Sequence, residues 1–408
     1  MGDGEFVRVN IAVSTAEMKT KAAIARGSVA RVRLYDDLSA VEPIWCALER
    51  QGAVHTPYQR YEWIALWQRH VAARRGMTPF IVVGSDAAGE PLFLWPFARS
   101  ERGPFSVASY FGGKHANFNF ALWRRDYASA LSAAEMSDLI DKIAALPGSV
   151  DFLMLINQPV SWEGFSNPFV LLPHQPSPSA AYRLRLGGSG NEILGRLFSG
   201  NMRSRLRGKE RKLQQLPGYR FFRAETAAEV DRLLDSFFAQ KKTRFSTQGI
   251  RNVFDEPGVE DFIREACHSG LTAGRPVIEL HALEYDSEML ALRACVTHDG
   301  RFSCMFNSFT LSEHARHSPG QVLTAKVVAD CADRGLDFFD LGVGEADYKN
   351  LFCNEVEPLF DSFLPLSPRG RLAAAAARAA YAVKGRIKRT SALWTAVQVY
   401  RRLVGRWR

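Results

Sequence analysis

Between residues 340 and 349 the chain sets Asp340, Glu345, Asp347, Tyr348 and Lys349 at and just beyond the end of an apolar run, LDFFDLG. Carboxylates beside a phenol and an ammonium can take a proton from a nucleophile and return one to a leaving group. Asp340 or Glu345 would be the base, Tyr348 the acid, and Lys349 a partner for a phosphate or carboxylate. The bland alternative is an Asp340–Lys349 ion pair with Tyr348 capping the core. Just upstream, SPGQVL at 318–323 forces a turn at Pro319 and Gly320 and opens a helix. The N–H groups of Gly320, Gln321 and Val322 would be unpaired there, and a terminus of that kind attracts an anion through its free donors and the helix dipole.

Other polar residues interrupt apolar runs. Asn307 in CMFNSF needs a partner or a ligand, because a buried amide left alone costs about 1–3 kcal/mol. His281 in IELHALEY and Arg293 in MLALRACV either face water or share a cleft. In a shared cleft His281 would be a second base and Arg293 would hold an anionic part of a ligand. His115, in the Gly-Gly loop GGKHANFNFAL, would reach a cleft between domains. The stretch RLFSGNMRSRLRGKERK (196–212) has seven basic residues against one acid, with Arg203, Arg207 and Arg211 on one helical face. A solvated face is the plain reading, and an approach surface for a phosphorylated acceptor the sharper one.

Placing these groups requires a particular set of elements. VARVRLY (29–35) alternates as a strand, and LSAVEPIWCALERQG (38–52) and YEWIALWQRHVAAR carry helical apolar spacing. Short strand-like runs follow (PFIVVGS, PLFLWPFA, FSVASYFGG), then a helix at 132–145 and a buried strand, VDFLMLINQ. After a Pro-rich linker (167–182) the order repeats. A helix spans GNEILG to RKLQQL, and GYRFFRA is a strand. The next helix opens on Thr226 with Glu229 in a capping box, and another covers 257–268. A three-stranded meander then turns at Asp286-Ser287 and Asp299-Gly300, and a last strand near FDSFLPL completes the second half. The reading is α+β, in two domains of one architecture: 29–180 and 181–366, after a loosely ordered 1–28 and before a basic tail, 367–408.

The chain's 408 residues fit two cores. Six cysteines without a C-x-x-C pair read as reduced core residues, with no metal site expected. Residues 366–408 hold 11 Lys or Arg and no acid, so the first 365, with 41 basic and 43 acidic, are at −2. The basic character belongs to the tail, which argues against nucleic acid as a partner. Leu393, Trp394, Val397, Tyr400, Val404 and Trp407 recur at helical spacing among Arg and Lys. That pattern fits a helix lying on an anionic membrane surface through residues 388–408, or one packed on the body. No signal peptide or spanning segment is apparent, so the expected place is the cytosol, at the inner face of the membrane if the tail binds there.

On SPGQVL, on GLDFFDLGVGEADYKNLF (335–352) and on the Trp-rich opening PIWCALERQG…YQRYEWIALWQRH, the chain resembles the GNAT superfamily. Within it the chain is similar to the CelD/BcsL-type acyltransferases linked to cellulose and exopolysaccharide synthesis, themselves similar to FemAB-type enzymes with tandem GNAT-like domains. The resemblance runs from about residue 31 to 366. It departs at the cradle, where Arg316-His317-Ser318-Pro319 precede a single Gly. It implies an acyl-CoA, or an acyl carrier protein thioester, as co-substrate, with no permanently bound cofactor. Ser318, Gly320, Gln321 and Val322 would hold the pyrophosphate. Phe306 and Asn307 would lie on a strand that splays to admit the pantetheine arm. Asp340, Glu345, Tyr348 and His281 would be the catalytic candidates, and Arg293, Lys349 and His115 would bind substrate. The implied reaction is direct acyl transfer to an amine or hydroxyl, either of a polysaccharide sugar or of a long-chain amine. A catalytically inactive GNAT-like scaffold of a membrane biosynthetic complex is the reading from another class. Transfer from aminoacyl-tRNA is disfavoured, since no inserted helical arm is visible.

Overall fold

The structure is a computed structural model and describes residues 28–390. Two mixed sheets flanked by helices make up the body. The first half runs β1 (Arg31–Tyr35), α1 (Leu38–Arg50), α2 (Tyr61–Trp67), β2 (Thr78–Ser85), β3 (Pro91–Arg102), β4 (Phe105–Tyr110), α3 (Ala133–Ala144) and β5 (Phe152–Pro159). The second runs β6 (Ala181–Arg185), α4 (Gly190–Leu197), α5 (Gly200–Leu213), β7 (Arg220–Arg223), α6 (Ala227–Gln248), α7 (Val259–His268), β8 (Glu279–Tyr285), β9 (Glu288–His298), β10 (Arg301–Phe309), α8 (Pro319–Asp333), β11 (Phe338–Val343) and α9 (Asp347–Phe352). β12 (Glu355–Glu357), β13 (Leu359–Pro365) and α10 (Pro368–Arg389) close the described chain.

Local chemistry accounts for most boundaries. Thr226 caps α6 in the expected box with Glu229. Asp286, Ser287 and Asp299, Gly300 all take positive φ, as two-residue hairpins require. The helix expected across 190–216 is instead two helices, because Phe198 is extended and Ser199 restarts the chain by accepting from the Met202 N–H. The helix expected from Tyr61 to Arg74 is regular only to Trp67 and continues as a π-turn over Gln68–Ala72.

Both sheets repeat one plan. Four antiparallel strands lead to a fifth that pairs parallel with the fourth, β4 with β5 and β10 with β11. The next place in each sheet is taken by a strand that lies outside that five-strand run. β13, from beyond the second half, pairs antiparallel with β5, and β6, from the segment after the first half, pairs antiparallel with β11. The FDSFLPL strand, expected to complete the second domain, therefore belongs to the first sheet. Alternation alone cannot say which of two similar open edges a strand will fill.

The second sheet and the first half meet at Arg301, which is fully buried. Its Nε donates to Asp340 at 2.8 Å, and its terminal nitrogens grip Glu357 at 3.0 and 2.5 Å. The guanidinium lies 4.0 Å over the Trp162 ring and 4.7 Å over that of Phe118, both from the first half. Glu357 is shared with Arg183 of β6 at 2.9 Å.

The tail divides. α10 packs Ala374 and Tyr381 onto Phe363 and its neighbours on the first sheet, and the Gly370 backbone approaches Asp151 so closely that a Cβ would lie 1.8 Å from its carbonyl oxygen. Residues 391–408, on which the membrane expectation mainly rests, lie outside the described residues. Among the described residues, no helix is long and apolar enough to cross a membrane.

Removing one partner of a buried charge network strands the others, at a cost of about 3–5 kcal/mol, whereas replacing the whole set with apolar groups is often near neutral. Arg301→Met should therefore lower the urea midpoint more than the triple variant Arg301→Met, Asp340→Leu, Glu357→Leu. Matched denaturation curves of the two variants check this.

Candidate functional site

The parallel pairing of β10 with β11 lasts three residues, from Arg301–Phe338 to Ser303–Asp340. At its end side chains replace the ladder. Ser303 Oγ donates to Asp340 Oδ2 at 2.5 Å, and the Gly342 N–H donates to Asp340 Oδ1 at 2.9 Å. Gly342 has φ 72°, and a Cβ there would come within 2.5 Å of the Asn117 side chain. Asn117, from the first half, wedges into the opening and donates to the Cys304 carbonyl at 2.7 Å and the Tyr58 hydroxyl at 2.9 Å. β10 continues to Phe309 without β11 beside it.

A bulge re-aims the splayed segment. Ala294 pairs with Phe306 but Cys295 pairs with Cys304, so Met305 is the extra residue. A bulge of this kind switches which side chains share a face. Asn307 thereby joins Arg293 and His281 in one cross-strand row. Arg293 is 4% exposed, donates to Thr324 Oγ1 at 2.7 Å, and leaves Nε without a partner. Among the described residues no carboxylate pairs with it. A desolvated guanidinium lacking a counter-ion is costly to bury. Tyr348, on α9, lies beside it: burial raises the phenol's pKa, while the Arg293 charge and the Asn307 side chain oppose the rise.

The start of α8 differs from the expected cradle. Ser318 is left-handed (φ 49°), and its carbonyl accepts from both the Gln321 and Val322 N–H groups, at 2.9 and 3.2 Å. Of the three expected donors only the Gly320 N–H is left without a backbone acceptor. The site instead gains a cation. Lys209 of α5 reaches Ser318 Oγ at 3.0 Å and Gln321 Oε1 at 2.9 Å. Burial lowers its pKa, and Arg205 adds to the effect. An ammonium at the positive end of a helix is mismatched with the dipole, and an anion relieves the mismatch.

The remaining candidates sort by their surroundings. Asp340 is sealed by Arg301, Ser303 and Gly342, which makes it a positioning group rather than an accessible base. His281 is fully buried between Phe221 and Phe302 with neither ring nitrogen hydrogen-bonded, and Glu279 lies 3.6 Å away, so it faces core and not cleft. Lys349 spends its ammonium on the Gly342 and Val343 carbonyls, each at 3.0 Å, and burial lowers its pKa to about 8. It closes the end of β11 instead of meeting a phosphate. The Phe306 side chain packs on Phe237 and Phe254, leaving only its backbone for a ligand. Val322 is core. Glu345 is an exposed carboxylate just past β11, near Tyr182. Arg203, Arg207 and Arg211 are exposed, as a solvated face requires. Lys209 lies on the same basic helix, and its role depends on how α5 meets α8, which spacing along the sequence does not show.

His115, in the first-half loop after β4, sits against Phe254 of the second half, its Nε2 unpartnered. Burial, aided by the Arg75 charge, pushes its pKa down to about 4 from an ordinary 6.5. A histidine held neutral when folded binds its proton more readily when unfolded. Its contribution is present above pH 6.5 and is lost as pH falls toward 4, at no more than about 1.4 kcal/mol per pH unit. The stability advantage of the wild type over His115→Gln should shrink across that window, as chemical denaturation at stepped pH will show.

Comparison with known proteins fits this geometry. Residues 200–350 match the family described as an acetyltransferase (GNAT) domain. No curated protein matches the chain. Among solved structures, FemX is similar over 84% of this chain and 100% of its own, at 10% identity and a TM-score of 0.58. A conserved protein of unknown function from Bacteroides thetaiotaomicron VPI-5482 aligns over 82% of this chain and 100% of its own, at 11% identity and a TM-score of 0.47. L-PGS from Bacillus licheniformis aligns over 86% and 98%, at 10% identity and 0.45. At such identities likeness speaks for the fold, and of these three only FemX is close enough to carry that argument. Residues 200–350 thus carry the match to a GNAT acetyltransferase domain, in an α+β chain whose two sheets repeat one plan.

Proposed function

We propose that the second half transfers an acyl group from an acyl-CoA or acyl carrier protein thioester to an amine or hydroxyl, directly and without a covalent enzyme intermediate. The observation that carries this reading is the splay of β10 from β11, with the uncompensated Arg293, Asn307 and Tyr348 at its mouth. A strand with one open side can pair with an extended, amide-bearing arm. Lys209 and the Gly320 N–H at the start of α8 would meet the donor's phosphates.

In this reading the acceptor's nitrogen or oxygen attacks the thioester carbonyl carbon and the C–S bond breaks. Tyr348, kept protonated by burial, gives its proton to the departing sulfur. Arg293 holds a positive charge where negative charge develops, in a site shielded from water. Glu345, the exposed carboxylate at the strand end, takes the acceptor's proton. Asp340 acts one step back by fixing Gly342 and the splay. The acceptor we propose is envelope-related, a polysaccharide sugar as in the CelD/BcsL type or a long-chain amine.

The test is thermal melting with acetyl-CoA, palmitoyl-CoA and free CoA, beside Lys209→Glu. The wild type should be stabilised, by about 2.7 kcal/mol at one hundred times Kd. The variant, with a carboxylate where the phosphates would sit, should lose most of the shift, and Tyr348→Phe should keep it. No shift with any CoA would contradict the acyl-CoA donor.

A further inference from the structure

A second cleft, of about 700 Å³, lies away from Tyr348 and Arg293. Its floor is the first sheet where β4 and β5 part, at Tyr110, Ile156 and Asn157, and one wall is α10. That volume is in the range of small-molecule sites. Six cations line it: Arg75, Arg102, Lys114, Arg251, Lys384 and Lys388, against one carboxylate, Glu256. Glu256 is already shared among Arg75 at 2.7 Å, Lys114 at 3.6 Å and Arg251 at 3.8 Å. Arg102 has a thioether contact, Met154 Sδ at 3.4 Å, and among the described residues no carboxylate forms a close ion pair with it or with Lys384, whose charge the buried Asp361 meets only at longer range. Lys388 donates to Ser179, and on α10 it stands four residues from Lys384, on the same face. Four of the six belong to the first 365 residues, which are together at −2, and two to the basic tail, so most of this concentration is local.

A second, independent feature points into the same space. Asn119 is 2% exposed and lines the cleft. Its Nδ2 donates to the Ile156 carbonyl at 2.8 Å, but its Oδ1 has no partner. An acceptor buried without a donor is unusual and costly. Cations gathered around a cavity repel one another and raise the local concentration of anions.

We propose that this cleft binds a phosphate ester that also carries hydroxyl groups, the phosphate among Arg102, Lys384 and Arg251 and a hydroxyl donating to Asn119 Oδ1. The site is made only when α10 lies against the first sheet, so the C-terminal helix is part of a binding site. The assignment does not depend on acyl transfer by the second half. Either a soluble sugar phosphate or a phospholipid headgroup supplies the chemistry.

The experiment titrates the full chain with glucose 1-phosphate by calorimetry, and with phosphatidylglycerol vesicles by sedimentation, each at low and high salt. Arg102→Glu with Lys384→Glu changes two exposed side chains and should fold normally, which circular dichroism checks. Binding to at least one probe is expected, weakened by salt and at least tenfold by the double variant, and unchanged by Lys209→Glu. Binding of glucose 1-phosphate identifies a soluble ester, and binding of vesicles alone a lipid headgroup. Binding that survives the double variant, or no binding of either probe, overturns the proposal.

Discussion

The buried guanidinium of Arg301 is the constraint on which the rest of the structure depends. It pairs with both Asp340 and Glu357 in the second sheet and presents its flat face to Trp162 and Phe118 of the first half. A charge so far from water holds only if every partner keeps its place. Those partners come from β11, β12 and the first half, and Arg183 of β6 joins through Glu357. β6 and β12 are thus tied to one electrostatic centre, and neither sheet is complete without chain from outside its own run of five strands.

The same centre shapes the candidate site. Asp340 is the last residue of the short parallel ladder, and its second oxygen holds the Gly342 N–H, where the strand turns through a conformation that favours glycine. Asn117 then enters from the first half, so the splay is propped open by side chains and is not a fraying edge. Asp340, one of two carboxylates whose position suits a base, is sealed by its partners and sets where the sheet divides. Activity, in this account, sits one layer out, with Tyr348 and Arg293.

Much of this was legible in the sequence because it is local. Alternation and helical spacing gave the order of elements, Thr226 and Glu229 announced a helix start, and Asp299-Gly300 a hairpin. Asn307 and Arg293 stood out as polar breaks in apolar strands, and both face the splay. What could not be read is what tertiary contact decides. Two similar sheets offer equivalent edges, so periodicity could not say that β13 crosses to the first. Nor could it reveal that Lys209 reaches α8, that Ser318 consumes two of the expected helix donors, or that Lys349 is spent on carbonyls.

The central claim, that the splayed segment of β10 and the start of α8 together hold a thioester donor, is tested most directly by hydrogen–deuterium exchange with and without palmitoyl-CoA. The account predicts slowed exchange in two separate stretches, 304–309 and 318–323, appearing together and saturating at the same ligand concentration. Unchanged exchange in both, with protection elsewhere or nowhere, would contradict it.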